Sequence, residues 1–172
     1  MTRSVPIHLR LLRDTTAAAA AEMALMVPLL VLILFSAFEA GHFFWTEHKV
    51  VEAVRNGARY ASRLPMSDVC PTSGTTTSNI ALYTRTGQLT DSSASPVVPG
   101  WSNNNQVTVT IACDSYLDTG IYTSLAGVGT GKGATVTVAA ASLTYPSLFE
   151  TLGLFESSLN LNASASTAVI GL

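Results

Sequence analysis

The chain has 172 residues, 12% of them charged, and a net charge of −2. That length suits one domain plus an anchoring segment, and the absence of a polybasic tract points away from nucleic acid as a partner. Two widely spaced cysteines, Cys70 and Cys113, and three scattered histidines do not make a zinc site.

The first feature along the chain is "TTAAAAAEMALMVPLLVLILFSAF" at residues 15–38. As a helix, residues 17–38 would be roughly 33 Å long, which matches a hydrocarbon core of about 30 Å. A secretory signal has a shorter apolar region, with small residues after it. Here the run is long and the alanines come before it, so the pattern favours a retained membrane helix. Arg3, Arg10 and Arg13 precede the run, and Lys49 and Arg55 follow it, which leans toward a cytoplasmic N-terminus. Pro28 removes a helical hydrogen bond and predicts a kink. Glu22 is the exception in the apolar run. A carboxylate at mid-bilayer costs about 2.5–3.5 kcal/mol on insertion scales, so it needs either a nearby headgroup layer or a cationic partner.

Helical periodicity continues past the apolar run. Phe43, Val50, Val54, Gly57, Ala61 and Leu64 recur at helical spacing on one face. Glu47, His48, Glu52, Arg55, Asn56, Arg59 and Arg63 fill the rest, with Glu52 and Arg55 spaced to pair. Phe43, Phe44 and Trp45 suit an aromatic belt at the membrane boundary. His42 and His48 lie nearby on different faces, with interfacial packing as their expected role. Pro65 predicts the helix stop. Beyond it, "PTSGTTTSN" and "TDSSASPVVPGWSNNN" read as turns and loops.

Three stretches then alternate with period two: "QVTVTIAC", "ATVTVAAASLTY" at 134–145 and "LNLNASASTAV" at 159–169. "PSLFETLGLF" between the last two reads as a short helix or irregular turn. The expected fold is α+β: a long N-terminal membrane-spanning helix packed by its outer half on a small antiparallel sheet. Cys70 follows the helix, and Cys113 ends the first strand. The pair is read as one disulfide, with two buried free thiols as the alternative. Closing a loop of that length is worth about 4 kcal/mol in the chain-entropy model.

Motifs for chemistry are weak. "GVGTGKGATV" at 127–136 lacks the leading glycine of a phosphate loop, lacks Ser or Thr after Lys132, and leads into a strand. Asp114 and Asp118 are too few for calcium and read as solvated loop acids. No catalytic triad is singled out by spacing. The chain is expected to be no enzyme and to carry no cofactor or metal.

The small-residue run, acid, apolar run with an early proline and following helix, "AAAAAEMALMVPLLVLILF" and "FEAGHFFWTEHKVVEAVRNGARYAS", resemble the TadE-like minor pilins (pseudopilins) of the Tad (Flp) type IV pilus system. The resemblance covers about a third of the chain and implies a pilin-like fold. It implies cleavage by a prepilin peptidase between Ala17 and Ala18, where the family usually has glycine before the cut. The divisions are then a leader at 1–17, a transmembrane half-helix at 18–38, an extracytoplasmic half-helix at 39–64 and a β-rich domain at 65–172. Loss of the leader leaves six basic and ten acidic residues, a net charge of −4. Small residues ahead of Glu22 would let the peptidase grip an extended backbone. Glu22 would pair with the new amine of Ala18, its own or a neighbour's. The implied partners are the prepilin peptidase, other pilin or pseudopilin subunits, the Tad assembly machinery and the lipid bilayer, with no nucleic acid. The implied place is the bacterial inner membrane, single-pass with the C-terminal domain outside the cytoplasm, or a pilus, and the role is assembly, adhesion or secretion. The other readings are an uncleaved single-pass assembly factor and an anchored adhesin or binding domain. N-terminal sequencing separates the cleaved reading from the uncleaved one.

Overall fold

The computed structural model describes residues 15–90, 93–117, 132–151, 153 and 159–171. Helix α1 spans Thr15–Ser62 without interruption. Alanine is the best helix former, so the Ala-rich start favours helix even without packing. Pro28 lies inside α1, and the helix continues on both sides of it. The helix stops two residues before the expected position. Its last turn tightens instead, with Arg63 N–H donating to Tyr60 O (3.1 Å) and Leu64 N–H to Ala61 O (3.3 Å). Pro65 precedes a one-turn helix α2, Met66–Val69.

The chain divides into two compact units, Met1–Gly41 and His42–Leu172. In the first, every residue of α1 from Ala18 to Phe38 is exposed, including large apolar side chains such as Leu25 at 80%. The Ser36 hydroxyl satisfies itself by donating to Leu32 O (2.8 Å).

The second unit holds the core. The strands are β1 (Val107–Leu117), β2 (Lys132–Thr144) and β3 (Asn160–Ala168), in the order β1-β2-β3 with both pairings antiparallel. Alternation sorts the faces. Ala134, Val136, Val138 and Ala140 of β2 are buried and share one cluster with Val50, Ala53, Val54, Ala58 and Ala61 of α1. Outward side chains of the sheet are short and mostly hydroxylic, as with Thr137, whose Oγ1 donates to Ser166 Oγ (3.1 Å). Register shifts interrupt both pairings, between Ala112 and Tyr116 and between Ala140 and Leu143. At the second shift Ser142 takes φ 56°, and its N–H finds the Asn162 side-chain oxygen (2.8 Å) in place of a ladder partner.

The segment expected to be loop after Cys70 differs. Residues Gly74–Thr86 form a 13-residue helix, α3, whose start lies in the stretch "PTSGTTTSN" read as turn and loop. Threonines are mediocre helix formers, but here their hydroxyls bond back to the preceding turn, Thr84 to Ile80 O (2.7 Å) and Thr86 to Leu82 O (2.8 Å). Burial of Ile80, Ala81 and Thr84 supplies the remaining stabilisation. Gly87, at φ 71°, ends α3 in the left-handed conformation, with its N–H on Tyr83 O (2.7 Å). The loop residues 93–103 are held by buried Val98 and Trp101. A 3-10 turn at Asn104–Gln106, capped by Asn103, then leads into β1. The expected short helix before the last strand is α4, Leu148–Thr151.

Candidate assembly helix and the head that carries it

The residues singled out by sequence fall into two groups. Ala18 and Glu22 stand on α1, and both are exposed. They are one helical turn apart, on the same face. Ala17 is helical in its backbone. The structure therefore holds the Ala17–Ala18 bond within α-helix rather than in the extended form expected for a protease grip. The reason is the alanine run itself, and cutting this bond requires the first turns to unwind. From Ala18 to Phe38, Glu22 is the one ionisable side chain in the sequence. The described chain has one helix long and apolar enough to cross a membrane, and that helix is a candidate membrane anchor.

The second group is the junction after the apolar run. His42 Nδ1 and the Tyr145 hydroxyl are 2.8 Å apart, and Tyr145 is buried. Phe43 meets the same tyrosine edge-on, with centroids 5.1 Å apart, and Trp45 stacks on His42 at 6.0 Å. Thr46, fully buried, donates to His42 O (2.8 Å). His42 is thus a packing and hydrogen-bonding residue. Sequence spacing could not find its partner, which lies 103 positions away. Phe44 and Trp45 remain exposed, consistent with a belt, and Lys49 Nζ sits 6.0 Å from the Trp45 ring centre.

Further along α1, the expected inward face is inward. Val50, Val54, Gly57 and Ala61 are buried, and Phe43 and Leu64 pack at the margin. The polar partners differ from expectation. Glu52, exposed, pairs back with the half-buried Lys49 (3.6 Å) rather than with Arg55. Gly57 permits a close crossing with α3, because a Cβ there would collide with the Thr84 hydroxyl. Tyr60 stacks near Tyr83, with centroids 4.9 Å apart. Its phenol is pushed above the ordinary value by burial first, then by Asp68 and by Tyr83.

Cys70 and Cys113 are joined in a disulfide that closes a separation of 43 residues. The bridge ties the end of α2 to β1. Two groups were missed by sequence reasoning. Arg85, buried on α3, donates from Nε to Asn104 Oδ1 (2.7 Å), and its carbonyl accepts from Val97 N–H (2.8 Å). Trp101 is buried, with its Nε1–H unpaired among the described residues. The arginine's neighbour to the C-terminal side, "TG", was the legible sign of a helix end. Nothing in the spacing signalled Asn104. Asp118 and residues 127–131 of the glycine-rich stretch lie outside the described residues, and residues 132–136 of that stretch lie on β2, as a strand rather than a phosphate-loop helix.

A family model described as TadE-like protein matches residues 17–59. The match begins at Ala17 and covers the apolar run, the aromatic junction and most of the inward face of α1. No curated protein and no solved structure matches the chain.

Proposed function

We propose that the chain is a minor pilin or pseudopilin of a Tad (Flp) type IV pilus, matured by a prepilin peptidase and acting in pilus assembly, adhesion or secretion. The observation that carries the reading is the TadE-like match over residues 17–59, a segment that includes both Ala18 and Glu22. The role is structural and non-enzymatic. The peptidase cuts between Ala17 and Ala18, and the new amine sits one turn from the Glu22 carboxylate. Opposite charges about 4 Å apart attract by roughly 4 kcal/mol at an effective dielectric near 20, and desolvation offsets much of that. The pair makes an acid tolerable in an apolar bundle, its own amine or a neighbour's serving as partner. Before assembly the apolar helix spans the inner membrane with the head outside the cytoplasm. The disulfide supports that side, because such bonds persist in oxidising compartments. Other pilin subunits and the Tad assembly machinery are its partners.

N-terminal sequencing of the membrane-extracted protein tests the reading. A mature start at Ala18 is expected, and an intact Met1 or Thr2 overturns it. Glu22→Ala should leave membrane insertion intact and deplete the protein from purified pili. Normal amounts of the variant in pili would remove the role assigned to Glu22.

A further inference from the structure

The strands of the head run lengthwise along the outer half of α1, and the hydrogen bonds fix which end is which. Tyr145, one residue past β2, lies against His42 and Phe43. At the opposite end, Val169 N–H bonds Ala134 O (2.9 Å), and Ile170 N–H bonds the Ser62 carbonyl (2.9 Å). The end of β2 and the start of β3 therefore belong to the His42 end of the helix. Tyr145 N–H also bonds Leu159 O (2.9 Å), which seats Leu159 there.

Among the described residues, that end exposes several large apolar side chains. Leu148 is 40% exposed and Leu159 55%, and next to His42 in α1 Phe44 is 65% and Trp45 55% exposed. We propose that this end of the head, formed by Tyr145, Leu148 and Leu159 together with Phe44 and Trp45, rests on the lipid bilayer and places its two leucines in the headgroup layer. The inference rests on the membrane-anchor reading of α1. His42 is four residues beyond Phe38, the end of the apolar run. That is about 6 Å as helix, and no more than about 14 Å however the chain runs. A span that fills the hydrocarbon core thus holds His42, and the Tyr145 bonded to it, at the membrane surface. The chemistry fits that depth. Aromatic rings with one polar edge favour the interface, and Lys49 stands one turn beyond Trp45, where headgroup phosphates lie. Among the described residues, Glu39 on α1 and Glu150, exposed on α4, are acids near this end, and they limit how far the head would sink.

The test uses the full chain in vesicles of phosphatidylethanolamine and phosphatidylglycerol, with the native disulfide kept. A single nitroxide is placed by L148C, L159C, S166C or L30C. Ser166 pairs with Thr137, seven residues from Thr144 along β2, roughly 23 Å from the proposed contact. Collision with an aqueous nickel chelate should be several-fold lower at 148 and 159 than at 166, with collision with oxygen correspondingly higher. Aqueous behaviour at both leucine positions overturns the proposal. Shielding from both quenchers also overturns it, since that indicates a protein neighbour rather than lipid. The label at 30 reports the anchor separately. If it is not lipid-embedded, the anchor reading fails and takes this inference with it. If it is embedded while 148 and 159 are wet, only the inference fails.

Discussion

Gly57 lets α1 and α3 approach until a methyl group would strike Thr84. Gly57→Ala should destabilise the head by about 1–3 kcal/mol, read as a lowered thermal midpoint, because both neighbours are helix-borne and cannot swing aside. Thr84→Ser removes a methyl, keeps the hydroxyl, and should not rescue it. Tyr60 gives a pH signature. Its phenol holds the proton more tightly in the folded state than in the unfolded chain. Its contribution is intact below the usual tyrosine value of about 10 and declines as pH rises through the folded value. The urea midpoint should fall in that alkaline window, and should fall less in Tyr60→Phe. Both effects were illegible in the sequence. Gly57 could be placed on the inward face by spacing, but what it faced depended on a helix that the composition did not announce.

The elements differ in how openly the sequence declares them. The inward face of the outer helix and the three strands follow from periodicity, since each buries one face, and the apolar run follows from its length and composition. Helix α3 does not. "GTTTSNIALYTRT" has too few apolar residues to form a convincing stripe, and its threonines favour strand or turn by propensity. Tertiary burial of Ile80 and Ala81 overrides that preference, and Gly87 closes the helix. Arg85 then fastens α3 to the turn before β1. Arg85→Met keeps most of the buried stem and deletes the charged donor, leaving Asn104 without it. A loss of about 1–3 kcal/mol is expected in denaturant unfolding. Unchanged stability would assign the order of residues 93–106 to Trp101 and Val98 instead.

For the molecule as a whole, the disulfide cross-links the helical segment after α1 to the sheet. It was legible because Cys70 follows a predicted helix and Cys113 ends a predicted strand. Replacing both with serine should lower head stability by up to about 4 kcal/mol, measured by thermal unfolding with α1 kept in detergent. The anchor half is a different case. Residues 18–38 of α1 are exposed throughout, whereas residues 50–61 of the same helix contribute buried side chains to a core. One continuous helix therefore answers to two solvents. The amides of the outer half are guarded by the head's own folding and should exchange with deuterium only when the head opens. Those of the inner half are guarded by whatever surrounds them, so their exchange should change with the detergent or lipid chosen while the outer half stays constant. A step in exchange rate near Gly41 and His42 would mark where the protein stops supplying its own interior.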